Sequence, residues 1–200
     1  PYTLPSIIGV GSAFTFEVDV YNFGTEDDPD WDTYTEISTA EELQSINLSG
    51  NYVLTADITL TAPETESDSN WTAIGNDTNP FTGKLDGNGH TISGIVINST
   101  DDYQGLFGYL GENGTIMNVG VINSDITGVN YVGGVCGNNY GTIENCYSTG
   151  TVSGSSYYVG GVCGKNKGTI TSCYNTGTIS YLGGGSDSES SFGGVCGWNK

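Results

Sequence analysis

The sequence predicts an all-β fold, a parallel β-helix (β-solenoid) that opens with an N-terminal cap containing a short helix. Three observations carry this expectation. A unit of the type Tyr-Val-Gly-Gly-Val-Cys-Gly recurs in tandem, its apolar pieces are three to five residues long, and none of it has helical period. Such short pieces cannot build an isolated sheet, but coils of them stacked as parallel strands about 4.8 Å apart bury a continuous core.

Residues 1–30 hold a strand-like piece, Ala13–Val20, followed by an acidic linker, and belong to a cap or a preceding domain. The solenoid is expected over residues 31–200, with the cap and first coils in 31–100 and the tandem coils in 101–200. Ser38-Thr39-Ala40-Glu41-Glu42-Leu43 has the N-cap residue and early acids of a short helix, the element that would cover the open end of the first coil. Tyr52–Leu60 and His90–Ile97 are expected as strands, with Asp86-Gly87-Asn88-Gly89 as a turn. A diverged copy of the repeat follows, since Gly105-Leu106-Phe107-Gly108 matches its glycine frame. The clear copies start at Tyr131, Tyr158 and Phe192, and their cysteines Cys136, Cys163 and Cys196 are 27 and then 33 residues apart. The extra length of the second interval is residues 183–191, a loop by composition. Each unit divides into three pieces, for example Tyr131–Cys136, Thr142–Tyr147 and Thr149–Ser153. Leucine-rich repeats would need a leucine frame that is missing, and propeller blades run to about 40–50 residues.

Columns of the repeat show which side chains point inward. Cys136, Cys163 and Cys196 share the column of Phe107, and Cys146 and Cys173 share that of Val119, so these columns are apolar and buried. The five cysteines are most simply buried thiols. Zinc would want closely paired cysteines, and no C-x-x-C occurs. A disulfide between stacked coils would have to span about 4.8 Å between Cβ atoms, beyond the roughly 3.5–4.5 Å that the bond prefers. A bond within one coil, Cys136 to Cys146 or Cys163 to Cys173, is geometrically open. Asn118, Asn145 and Ser172 form one polar column and Asn139, Asn166 and Asn199 another, both expected to serve the backbone at bends.

Composition narrows the function. Four lysines, no arginine and 23 acids give a net charge of −19, which excludes nucleic acid and anionic membrane surfaces as partners. Fifteen of the acids precede Lys84, so the repeat coils are close to neutral. Glycine is 32 of 200 residues, or 16%, about double the ordinary share of about 7%, and it recurs at fixed columns such as Gly134, Gly161 and Gly194. No apolar run approaches the length of a membrane span, so no membrane insertion is expected within this segment. The interrupted last copy suggests a piece of a longer protein. The abundance of Asp, Glu, Thr, Asn, Ser and Tyr suits an extracellular or cell-surface bacterial protein.

The motifs Gly105-Leu106-Phe107-Gly108, Trp71-Thr72-Ala73-Ile74-Gly75, Pro80-Phe81-Thr82-Gly83, Asp86–Ile92 and the Cys-rich coils together give the chain its resemblance. From about residue 35 to 200 it resembles the bacterial surface proteins that carry GLUG repeats, named for a Gly-Leu-x-Gly signature. The resemblance implies a right-handed, pectate-lyase-like β-helix found in large secreted or wall-attached proteins, some of them adhesins and some immunoglobulin A proteases. In such proteases the catalytic unit is a separate metalloprotease domain, and no H-E-x-x-H occurs here. The later copies depart from the signature, with Val-Cys in place of Leu-x.

Lyases of this fold type rely on a basic side chain plus calcium and its hydrolases on clustered aspartates. Here arginine is absent, His90 is the single histidine and sits beside a glycine turn, and Asp125, Glu144, Asp187 and Glu189 share no column. No catalytic residue is therefore assigned, and the chain is expected not to be an enzyme. No cofactor or metal site is assigned either, calcium at Asp28, Asp30 and Asp32 being the alternative to a solvated linker, because Thr33 and Thr39 stand where a calcium loop wants Gly and Glu. A binding module remains. Tyr147 and Tyr174 turn outward in adjacent coils and Tyr140 lies on a neighbouring bend, so these three are the candidate ligand-binding residues, facing a host or bacterial surface glycan or protein. The alternatives are a purely structural stalk, an accessory segment of a secreted protease or polysaccharide-degrading enzyme, and an ice-binding solenoid using Thr149, Thr151, Thr176 and Thr178.

Overall fold

A computed structural model describes residues 34–183 and 190–200. The strand expected at Ala13–Val20, the linker with Asp28, Asp30 and Asp32, and Asp187 and Glu189 lie outside the described residues.

The described chain coils about an axis and forms 22 short strands in five parallel ladders. The first ladder stacks Thr35–Ile37, Asn51–Leu54, Lys84–Asp86, Thr115–Met117, Thr142–Glu144 and Thr169–Thr171. The second stacks Ile58–Thr59, Thr91–Ser93, Gly120–Ile122, Tyr147–Ser148 and Tyr174–Asn175, and the third Val96–Asn98, Asp125–Gly128, Thr151–Gly154 and Thr178–Tyr181. Val132–Gly133, Val159–Gly160 and Phe192–Gly193 make the fourth. Phe107–Leu110, Cys136–Asn139, Cys163–Asn166 and Cys196–Asn199 make the fifth. Like residues fall on like residues, so the core is a set of columns: Tyr52, Leu85, Ile116, Ile143 and Ile170 in the first ladder, and Ile97, Ile126, Val152 and Ile179 in the third. Ile116 and Ile143 are fully buried, whereas Ile170 and Ile179 of the last described coil are only partly covered.

From Thr115 onward each coil has five short strands rather than three pieces, while the earlier described coils have fewer. The expected piece Thr142–Tyr147 breaks at Asn145, whose φ of 51° is left-handed, as is Asn118 at 55° one coil before and Ser172 at 55° one coil after. His90–Ile97 breaks at Gly94, with φ 80°, and Tyr52–Leu60 stops at Leu54 before resuming at Ile58. The turn at Asp86–Gly89 forms as expected, with Asn88 and Gly89 at φ 50° and 81°. Gly114, Gly141 and Gly168 stack in successive coils, and a Cβ on Gly141 would press into the Gly114 carbonyl oxygen.

The cap helix is Ala40–Gln44. Its N-cap is Thr39, whose hydroxyl accepts from the Glu42 N–H while the Glu42 carboxylate accepts from the N–H groups of Ser38 at 2.8 Å and Thr39 at 3.1 Å. Leu43 is fully buried, and Gln44 ties the helix to the Thr72 backbone in both directions.

Candidate binding face

Ladders four and five place the repeated aromatics on one face. Tyr103 and Tyr131 occupy equivalent positions just before the fourth ladder, since Gln104 bridges Val132, and Tyr158 follows one coil later. Tyr103 and Tyr131 hold φ of 62° and 57°, a conformation that costs a bulky residue energy and turns its ring off the strand line. Tyr109, Asn138, Lys165 and Trp198 form a register column of the fifth ladder.

The rings meet along the axis. Tyr103 and Tyr131 stack at 4.9 Å with 9° between planes, and Tyr158 continues to Trp198 at 5.7 Å. Tyr109 meets Tyr103 edge-on at 5.5 Å and stacks on Tyr140 at 5.4 Å. Tyr103, Tyr109, Tyr131, Tyr140, Tyr158 and Trp198 are each partly exposed. Lys165 Nζ lies 5.1 Å from the Tyr131 ring centre, 5.8 Å from Tyr158 and 5.4 Å from Trp198, and Lys167 Nζ lies 5.0 Å from Tyr140. Neither lysine has an ion pair among the described residues. Lys200 continues the row, since its N–H donates to the Asn166 carbonyl as that of Lys167 does to Asn139. Three of the chain's four lysines thus lie on one side of the last coils.

Charge on this face is uneven. The hydrogen bond from Lys167, seconded by one from Tyr109, holds the Tyr140 hydroxyl below the ordinary tyrosine range. Burial pushes Tyr103, Tyr109 and Tyr131 upward. Asn138, between Tyr109 and Lys165 in register, is 4% exposed, and its Oδ1 has no hydrogen-bond partner among the described residues.

The three expected tyrosines do not form one site. Tyr147 and Tyr174 do stack, at 5.0 Å and 1°, and Tyr174 is exposed, but they stand on the second ladder with the Tyr147 ring lying over Gly120. Tyr140 belongs with Tyr109, and the strand Thr142–Glu144 of the first ladder separates it from Tyr147. Tyr131 and Tyr158 were visible as a repeated column. Tyr109, Lys165 and Trp198 were not, because they differ in kind and only the register aligns them.

His90 is a bend residue: its Nδ1 lies 3.2 Å from Asp57 Oδ1, the same oxygen that accepts from the Thr91 N–H at 2.8 Å. The Thr91 N–H, then His90, keeps Asp57 low. Thr151 and Thr178 stack in the third ladder, but Thr149 lies in the bend before it and its hydroxyl accepts from the Asn123 N–H. No three His, Cys, Asp or Glu side chains gather to hold a metal among the described residues.

Residues 128–153 and 155–180 match the family model described as the GLUG motif, and each match spans about one turn of the solenoid. These are the coils with Val-Cys in place of Leu-Phe; Val135 and Val162 are as fully buried as Leu106, so the departure keeps an apolar column apolar. Halomucin of Haloquadratum walsbyi is 39% identical over 145 residues, which cover 66% of this chain and 2% of that protein. A Gly-rich membrane protein, provisionally so named, of Evansella cellulosilytica is 41% identical over 117 residues, or 54% of this chain and 14% of that one. The chain therefore spans only a small part of the length of either relative. The crystal structure of a chain provisionally named an immunoglobulin A1 protease from Bacteroides ovatus superposes with a TM-score of 0.50 at 17% identity, covering 82% of this chain and 61% of that one, a likeness of fold.

Proposed function

We propose that this GLUG-motif solenoid is a cell-surface binding module without catalysis of its own, and that its aromatic and lysine face holds a surface glycan carrying acid groups. The carrying observation is that Lys165 and Lys167 lie over a row of tyrosine and tryptophan rings, with Lys200 in register with Lys167, in a chain of net charge −19. Hydroxyls along a ladder match the hydroxyls of a sugar chain, and ammonium groups held by rings supply the counter-charge for a carboxylate or sulfate. The row runs parallel to the solenoid axis, which suits an extended polymer. The location rests on the names of the relatives, one of them a membrane protein. A second reading, a non-catalytic accessory segment of a longer enzyme, is supported by the name of the similar solved structure.

The test is a glycan array carrying neutral and acidic polysaccharides, read with the wild-type chain and with Lys165→Ala combined with Lys167→Ala. Retention on acidic glycans that weakens with salt and is lost in the double variant is expected. Equal binding by the variant, or a blank array, removes the glycan reading. Turnover of an acidic polysaccharide would overturn the absence of catalysis.

A further inference from the structure

Two neighbouring asparagines of the fifth ladder are buried alike and bonded differently. Asn139 is fully buried, and its side chain is satisfied on both sides, Oδ1 by the Gly141 N–H and Nδ2 by Asn166 Oδ1. Asn138 is 4% exposed, and its Oδ1 is an orphan, the other orphaned side-chain atoms among the described residues being serine hydroxyls. Folded chains bond nearly all buried polar side-chain atoms. An unpaired amide oxygen therefore calls for a partner from outside the chain.

The orphan stands among the groups assigned to the glycan. Register places Tyr109 beside it in one coil and Lys165 in the next, so Asn138 is the one short side chain in a column completed by Trp198. In its own coil Tyr131 precedes it and Tyr140 follows, and their rings stack on Tyr103 and Tyr109 of the coil before. Lys165 Nζ reaches to 5.1 Å from the centre of that Tyr131 ring. Ring faces hold this ammonium and no carboxylate among the described residues pairs with it, so it is free to turn to an acid group of a ligand.

We infer that Asn138 sets the specificity of this face: its Oδ1 accepts a hydrogen bond from a sugar hydroxyl next to the acid group that Lys165 pairs with. The hydroxyl enters as the Lys165 side chain swings onto that acid group, a change of rotamer and not of backbone. This role, which rests on the glycan reading above, makes a free hydroxyl beside the acid group part of what is recognised.

The test is calorimetric titration with polygalacturonate and with the same polymer acetylated on its hydroxyls, beside urea unfolding without polymer. Wild type should bind the free-hydroxyl polymer about tenfold more tightly than the acetylated one, and Asn138→Leu and Asn138→Ala should lose that preference. Because the replaced oxygen has no partner in the free chain, Asn138→Leu should unfold at no lower urea concentration than wild type. Both polymers keep their acid groups, so Lys165→Ala combined with Lys167→Ala should weaken both. A preference that survives in the Asn138 variants, wild-type binding indifferent to acetylation, or a lower urea midpoint in both variants overturns the role of Asn138 and leaves the glycan reading standing. Wild type binding neither polymer overturns both.

Discussion

Asn139 shows how one side chain replaces a longer bend. In the column it shares, earlier coils place Phe81 and Leu110, both fully buried, and later coils place Asn166 and Asn199. After Leu110 the chain closes a turn with its own backbone, the Gly114 N–H donating to the Gly111 carbonyl at 2.9 Å. After Asn139 the bend is two residues shorter, and Asn139 Oδ1 accepts from the Gly141 N–H at 2.9 Å in its stead. Its Nδ2 donates to Asn166 Oδ1 at 2.6 Å, and Asn166 passes the same bond to Asn199. The column was legible as a bend device, but neither Asn139 nor Asn166 is left-handed, unlike Asn118 and Asn145. Asn139→Ala leaves the Gly141 N–H unpaired in the interior, at an expected cost of about 1–3 kcal/mol, while Asn166 Oδ1 keeps the Gly168 N–H at 3.3 Å. Urea unfolding should show the midpoint falling accordingly, and Asn139→Leu should not restore it, because leucine has no acceptor for that N–H.

At the level of elements, the cap helix follows from local chemistry. A five-residue helix is too short to hold itself and depends on its capping box and on Leu43 in the core. Thr39→Ala should cost about 0.5–2 kcal/mol, read by the same unfolding measurement, with the effect on the first coils. The strands were less legible than the helix. Asn145 and Gly94 end strands because their φ is positive, and the pieces on either side are apolar enough to look continuous in sequence. Ring positions were harder still: Tyr140 and Tyr147 are close in sequence yet lie on opposite sides of the first ladder, while Tyr158 and Trp198 are distant and stack at 5.7 Å.

For the whole molecule, each coil touches only its neighbours, so stability should accumulate coil by coil. The coils beginning at Thr142 and Thr169 are in register, Ile143 on Ile170, with no insertion between them. Duplicating residues 142–168 in frame should give a chain that folds, with a higher midpoint of thermal unfolding and a larger urea m-value. A duplicated chain that aggregates or loses stability would show that the coils are not interchangeable.

The sequence by itself determined the coil, its interval, the inward columns and the cap, because a repeat prints the register of a parallel stack directly into the text and a capping box is local. Tertiary structure decided the five-strand outline of the later coils and the face where Lys165 and Lys167 meet the tyrosine row. Those depend on the positive-φ bends and on which ladder each residue joins, and neither is fixed until the coils close on one another.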